Sequence, residues 1–201
     1  MILPIVEGHG EVTAVPLLIR RIVTAYAAEA YAEVGRPIRI KRNALVQPGG
    51  IENAIELAAR QTGPGDGLLV LIDADKDCPV DLATELLRRA QRQRPDRSIR
   101  VVVAKSEFEA WLLASAQSLA GQRGLPQDLA PPPEPEAVRD AKGWLSDRTP
   151  RGRSYKPTVD QAALTQIFDL DQAQGARSFR KFIKDVLELA RGPHPPPPAN
   201  A

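Results

Sequence analysis

Acidic side chains follow three apolar segments of this chain. Glu7 comes directly after the run "ILPIV", and Glu11 follows it after "GHG". Asp73 and Asp75 come after the run "LLVLI", within "IDADKD", and Glu109 lies in "SEFEAW" after "IRVVVAK". Carboxylates that converge repel one another and must either protonate or find a cation. These residue types at strand ends therefore indicate a site for a hard divalent ion.

The expected ion is Mg²⁺ or Mn²⁺, because oxygen ligands suit these ions and the chain has only two histidines and one cysteine. Residues two apart in an extended chain point the same way, so Asp73 and Asp75 can face one ion. Two such ions, about 4 Å apart, stabilise the attacking and leaving oxygens of a phosphodiester. Gly8 and Gly10 would let the backbone turn closely and leave helix amides free for a phosphate. The predicted chemistry is phosphoryl transfer.

Individual acids also have ordinary structural explanations. Acidic residues favour helix N-termini, and a helix start explains Glu11 as well as a site does. Asp77 is better explained as part of a turn, and Glu107 as a helix cap. His9 fits a loop residue, and Cys78 fits a small loop or core residue. The hypothesis of a site depends on the two motifs occurring in this order, each after an apolar strand.

The elements that must position these acids alternate between strand and helix. Strands are predicted at 2–6, 37–46, 68–72 and 99–106. Helices are predicted at 11–33, 51–61, 80–93, 107–119, 159–168 and 178–190. This alternation predicts an α/β fold whose mainly parallel central sheet is flanked by helices. Ligands of such sheets bind beyond the carboxyl ends of the strands, so the acids should share one edge.

Composition divides the chain into four segments. Residues 1–122 are predicted to form the α/β domain, although Pro4 would cost a central strand one ladder hydrogen bond. The proline-rich residues 123–157, which include the basic stretch "RTPRGRSYKPT", are predicted to be a linker and loop. Residues 158–191 are expected to form a helical extension that packs on the sheet, and 192–201 a disordered proline-rich tail.

The totals exclude several classes of protein. The chain has 201 residues, of which 43% are hydrophobic, and a formal net charge of +2, so it can build one core but has no dense basic run. Its single cysteine excludes an internal disulfide. We expect no signal peptide, because the N-terminus lacks a basic segment and its apolar run ends at Glu7, and we expect no transmembrane helix, because there is no run of about 18 apolar residues. We therefore expect a cytoplasmic protein without membrane contact.

The two acidic motifs resemble those of the Toprim domain, which topoisomerases, primases and overcoming-lysogenization-defect nucleases share. The resemblance lies in "VEGHGE" and in "LIDADKD". It implies that Glu7, Asp73 and Asp75 hold Mg²⁺, and that Glu11 is the second acid typical of the nuclease branch. Relatives often carry Thr or Ser at the position of Gly10, so the helix cap is weaker in this chain. No "GxH" follows the second motif, which argues against topoisomerase-like chemistry.

Further along, "FEAWLLA" and "SYKPTVDQAALTQIFDLDQAQGARSFRKFIKDV" resemble domain-of-unknown-function family 4276, a Toprim-like group. The resemblance extends to about residue 190. It makes Glu109 the acid after the fourth strand and matches Tyr155 and Lys156 to a downstream motif. Lys156 would steady a phosphate, although a loop lysine on a solvated face explains it at least as well. Arg151, Arg153 and Lys156 are candidate nucleic-acid contacts.

The predicted function is a divalent-metal-dependent nuclease, or a related phosphoryl-transfer enzyme, acting on DNA or RNA. The metal ligands would be Glu7, Asp73, Asp75 and Glu109. The catalytic residues would be Glu7, Glu11, Glu109 and Lys156. The resemblance to nuclease-branch relatives also implies a partner ATPase and a role in phage defence.

Two other functions stay open. The first is a non-catalytic Toprim-like module that binds nucleic acid or protein, which the low net charge and the 4% aromatic content favour. The second is a small-molecule phosphatase or nucleotidyl enzyme on a similar sheet, against which the lack of a glycine-rich nucleotide loop counts. The sequence makes no prediction about oligomeric state.

Overall fold

The computed structural model describes residues 1–30 and 33–192. Its strands are β1 (Ile2–Val6), β2 (Ile38–Arg39), β3 (Gly67–Asp73) and β4 (Ser98–Ala104). They form one all-parallel sheet in the order β2-β1-β3-β4. The helices are α1 (Glu11–Tyr26), α2 (Arg42–Val46), α3 (Gly50–Ala59), α4 (Pro79–Gln93), α5 (Glu109–Ala114), α6 (Ala141–Ser146), α7 (Ala162–Ile167), α8 (Leu170–Ala173) and α9 (Arg177–Ala190). The predicted α/β fold with a parallel sheet, flanking helices and a C-terminal helix is confirmed.

Helices cover both faces of the sheet, which explains why every residue of β1 and β3 is buried. On one face, α1, α5, α7 and α9 share a core centred on Trp111. The Trp111 ring lies 5.2 Å from that of Phe179 and 5.1 Å from that of Phe182, measured between centroids. Such pairs contribute about 0.5–1.5 kcal/mol each beyond burial. On the other face, α3 and α4 bury Ile55 and Leu86 against the sheet.

Pro4 sits inside β1, at a point where the strand has no β2 partner. The Ile2 amide donates to Glu33 O (2.7 Å), and Val6 O accepts from the Ile40 amide (2.9 Å), so even-numbered residues of β1 face the β2 side. β2 pairs only with Ile5 and Val6. The nitrogen of Pro4 therefore faces a stretch where the short β2 does not reach, which is where a strand tolerates proline.

The predicted strand over 37–46 is wrong for its second half, because residues 42–46 form α2. Leu45 of this helix is fully buried. Arg42 reaches across to the end of β3, where its Nε donates to Asp73 O (2.9 Å). The alternating pattern of "PIRIK" extends only through β2, and contacts with β3 and α3 determine the rest.

The helices α1 and α5 end well before their predicted ends. α1 ends at Tyr26, and the next residue, Ala27, has left helical geometry (φ −151°). α5 ends at Ala114, because Ser115 leaves α-helical geometry (φ −107°, ψ 22°) and the chain continues as a 3₁₀ helix over Ala116–Leu119. In the part of the chain that the structure describes, no helix combines the length and apolarity needed to span a membrane.

The segment 123–157, predicted as linker and loop, contains α6 and buries Leu125, Leu129 and Leu145 in the core. α9, in the predicted extension, packs against α1 and β4. The predicted tail lies outside the described residues from position 193 onward.

Candidate functional site

The carboxyl edge of the sheet carries the acids that the sequence singled out. Glu7 follows β1, Asp73 is the last residue of β3, and Glu109 opens α5 after β4. The parallel register pairs Asp73 with Ala104, so β3 and β4 end at one level, and it pairs Val6 with Leu71, so β1 ends at the same edge two residues earlier. The Asp73 amide donates to Glu7 Oε2 across the first two strand ends (3.4 Å).

Glu11 holds the turn that presents Glu7. Its Oε2 accepts hydrogen bonds from the amides of Glu7 (3.0 Å) and Gly8 (3.2 Å), and the residue is only 4% exposed. Gly10 allows the C-terminal segment to approach this turn, since a Cβ there would stand 2.2 Å from Gln161 Oε1 and 2.5 Å from Pro157 O. The glycine thus serves a close contact between segments.

Lys142 lies at the centre of the acidic cluster, although the sequence analysis did not select it. Its Nζ stands 2.8 Å from Glu107 Oε1, 3.3 Å from Glu109 Oε2 and 3.7 Å from Asp73 Oδ2. Its backbone amide also donates to Glu107 Oε2 (3.1 Å). Glu107, for which a helix cap was the favoured explanation, therefore anchors α6 to the end of β4.

Glu109 is the most deeply buried acid of the site, with 0% exposure. Its Oε1 accepts from the Tyr155 hydroxyl (2.9 Å) and from Gln161 Nε2 (3.2 Å). Its Oε2 has Lys142 as an ionic neighbour but no hydrogen bond of good geometry within the described residues. Among the described residues, Glu109 Oε2 is therefore compensated by the charge of Lys142 and not by a hydrogen bond.

Four acids at this edge, Glu7, Glu11, Asp73 and Glu109, have raised pKa values. Burial raises the pKa of Glu7, Glu109 and Asp73, the last well above its usual range, and neighbouring negative charges add to the effect. Burial also raises the pKa of Glu11 from 4.5 to about 7, against the lowering by its two amide donors. Burial lowers the pKa of Lys142, but the charges of Glu109 and Asp73 outweigh this and raise it overall. The cluster therefore holds excess negative potential.

Asp75 lies at the exposed rim of the cluster, where its negative charge adds to the burial that raises the pKa of Glu7. Its side chain is 60% exposed, and its Oδ2 lies 3.6 Å from Arg42 Nε. Arg42 also pairs with Asp77, the acid for which a turn was the favoured explanation. Asp75 (φ 52°) and Ser106 (φ 65°) both adopt left-handed geometry, and the Asp75 amide donates to Ser106 O (3.3 Å). Strained backbone at two adjacent strand ends is common beside functional sites.

The predicted nucleic-acid contacts lie in the loop before α7. Arg153 Nη2 pairs with Asp160 Oδ1 at 2.8 Å, and the Lys156 amide donates to Asp160 Oδ2 (2.9 Å). The side chains of Arg151 and Lys156 are exposed. The lysine that meets the acids is Lys142. The sequence feature that could have located Lys142 is the helix start in "RDAKGW", where the structure shows Asp140 Oδ1 accepting from the Gly143 amide (2.7 Å).

The donor set suits a hard divalent ion, because it consists of carboxylate oxygens and includes one buried oxygen without a hydrogen bond. Nevertheless, in residues 1–30 and 33–192 no three His, Cys, Asp or Glu side chains form a group placed to hold an ion. Asp75 is largely exposed and lies beside Arg42, and the Lys142 ammonium lies among the other carboxylates. Oxygen ligands suited to a divalent ion are thus present, but they surround the ammonium of Lys142.

Comparison with known proteins gives one family. No curated protein and no solved structure matches the chain. One family model, described as "Domain of unknown function (DUF4276)", matches residues 6–187, which include every acid of the cluster. The chain therefore belongs to the DUF4276 family.

Proposed function

We propose that this protein is a divalent-metal-dependent nuclease, or a related phosphoryl-transfer enzyme, with a Toprim-like site. The observation that carries the proposal is the convergence of Glu7, Asp73 and Glu109 at the carboxyl edge of a parallel sheet, with their pKa values raised by burial. Stability alone does not favour such a cluster, because buried like charges oppose folding. A cationic ligand or a charged transition state would make use of it.

Glu7, Asp73, Asp75 and Glu109 are the residues that would hold the ion. When bound, Mg²⁺ or Mn²⁺ supplies Lewis-acid polarisation of a phosphoryl oxygen. Glu7 is less buried than Glu11 and Glu109, so its carboxylate is the one that would orient a water molecule and accept its proton.

Supporting residues fix these groups. Glu11 holds the backbone of Glu7 through two amide hydrogen bonds, which makes it a positioning residue in this scheme. Tyr155 and Gln161 orient Glu109 by donating to its Oε1. The exposed side chains of Arg151 and Lys156 are available for phosphate contacts. A partner ATPase and a role in phage defence stay predictions from the resemblance.

A specific observation favours the alternative of a non-catalytic module that binds nucleic acid or protein. Lys142 already contacts three carboxylates, so the cluster is partly neutralised without an ion. In that case the acidic edge would be a structural ion network, and binding would depend on the surrounding surface.

The test is metal-dependent hydrolysis by the wild-type chain and by Asp73→Asn. Bis-p-nitrophenyl phosphate serves as a sequence-independent phosphodiester, beside plasmid DNA, single-stranded DNA and RNA, each with Mg²⁺, Mn²⁺ or chelator. Asparagine can still accept the Phe108 amide that Asp73 Oδ1 accepts now (2.8 Å), so the fold should survive. Asp81→Asn, on the exposed start of α4, is the matched control.

We expect hydrolysis that needs the ion and that falls by at least about 10–100-fold in Asp73→Asn, because loss of a ligand should cost no less than loss of an outer-shell partner of a ligand. The control should match the wild type. Hydrolysis that survives chelation, or that Asp73→Asn retains in full, would refute the proposal. Oligonucleotide binding without cleavage by either protein would favour the binding module.

A further inference from the structure

Lys142 is held in the cluster by the fold of its own segment. The Asp140 carboxylate caps α6, and Leu145 anchors that helix in the core. The Lys142 amide is fixed on Glu107 Oε2 (3.1 Å). The backbone is therefore pinned at this residue, while the side chain, 37% exposed, extends along the solvent side of the site.

The ammonium takes up carboxylate oxygens that a divalent ion would need. Its contacts at 2.8, 3.3 and 3.7 Å go to Glu107, Glu109 and Asp73. A magnesium ion binds oxygen at about 2.1 Å, and two cations repel each other strongly at such separations. The ammonium and the ion therefore cannot share Glu109 Oε2 and Asp73 Oδ2.

One positive charge does not neutralise this cluster. Three carboxylates surround the ammonium, and Glu109 Oε2 has no hydrogen bond within the described residues. A divalent ion would add charge where it is lacking. The four-carbon stem of lysine is flexible and partly solvated here, so the ammonium can leave without any movement of α6.

Resting on the proposed function, we propose that Lys142 is a resident counter-ion that competes with the divalent ion for Glu109 and Asp73. The lysine keeps the ion-free protein folded by occupying the acidic edge. It also lowers the affinity for the ion, because the ion must displace it. Occupancy of the site then depends on the concentration of the divalent ion and on any substrate phosphate that draws the freed ammonium outward.

The test is Mn²⁺ binding by isothermal titration calorimetry, with the full chain stripped of metal by a chelator. The variant is Lys142→Met, which keeps the length of the stem and removes the charge. Lys142→Arg keeps the charge. Lys105→Met removes an exposed charge from the end of β4, two residues before Glu107, and so measures the effect of general electrostatics.

Lys142→Met should bind Mn²⁺ at least tenfold more tightly than the wild type, whereas Lys142→Arg and Lys105→Met should stay within about threefold of it. Without metal, Lys142→Met should melt at a lower temperature than the wild type, and Mn²⁺ should raise its melting temperature by more. A variant that folds only when Mn²⁺ is present would support the proposal equally.

Equal or weaker Mn²⁺ binding by a folded Lys142→Met would overturn this proposal. If the wild type still showed metal-dependent hydrolysis, the proposed function would stand without it. Lack of binding by both proteins, together with lack of hydrolysis, would remove both. A variant that stays unfolded with and without Mn²⁺ would show that Lys142 is a structural requirement that no ion replaces, and would also overturn the proposal.

Discussion

Replacing Glu11 by Gln should remove a loss of stability that the wild-type protein suffers as the pH rises. Burial raises the pKa of Glu11 from 4.5 to about 7, and the charges of Glu109 and Glu7 contribute in the same direction. Between these two pH values the folded state keeps a proton that the unfolded state releases. The stabilising contribution is therefore full below pH 4.5 and is lost as the pH rises through about 7.

The size of the effect follows from those two pKa values. The linkage relation gives a fall in the free energy of unfolding of about 2.5 kcal/mol between about pH 5 and pH 8 for this one group. Glutamine has nearly the same shape, and its side-chain oxygen can accept from the amides of Glu7 and Gly8 as the carboxylate does. The Glu11→Gln variant should keep the turn and lack this fall.

The assay is urea unfolding across that pH range in the presence of chelator, followed by the fluorescence of the buried Trp111. Glu85→Gln, which alters a half-exposed glutamate on α4, is the control and should follow the wild type. If Glu11→Gln and the wild type lost stability in parallel as the pH rose, the assignment of this fall to the buried Glu11 carboxyl would be wrong.

Two further substitutions test contacts between distant segments. Gly10→Ala should destabilise the protein by about 1–3 kcal/mol in urea unfolding through overpacking against Gln161. The loss should be steric, because Gly10 has ordinary helical geometry (φ −66°) that alanine also adopts. Gly65→Ala is the control and should cause no loss, because a Cβ there meets nothing within 4 Å. An equal loss at both sites would contradict the steric explanation. Asp160→Asn should lower the melting temperature at neutral pH, with a loss of about 1–2 kcal/mol, because Arg153 and a second arginine pair with this carboxylate. Burial raises the pKa of Asp160, but the Lys156 amide and these arginines outweigh it and lower this pKa from 3.8. The difference in stability between Asp160→Asn and the wild type should therefore shrink only as the pH falls below 3.8. A difference that stays unchanged at low pH would refute the ionic explanation.

Much of the sheet and its acidic edge could be predicted from local pattern. Continuous apolar runs mark β1 and β3, because strands covered on both faces bury every side chain. Parallel connection then brings the residue after each strand to the same edge, which is why Glu7, Asp73 and Glu109 could be grouped without coordinates. The pattern did not reveal α2. The alternation of "PIRIK" ends with β2, and contacts with β3 and α3 determine the conformation of the next residues.

The sequence by itself determined the α/β class, the parallel strands and the identity of the acids at their carboxyl ends, because these depend on periodicity and chain order. Only the tertiary structure decided what neutralises those acids. Lys142 reaches Glu107 over 35 residues of chain, and Gln161 reaches Glu109 over 52. Coulombic and hydrogen-bonding partners at such separations leave no periodic signal, so neither the lysine in the cluster nor the contact of Asp75 with Arg42 could be predicted from the spacing of residues.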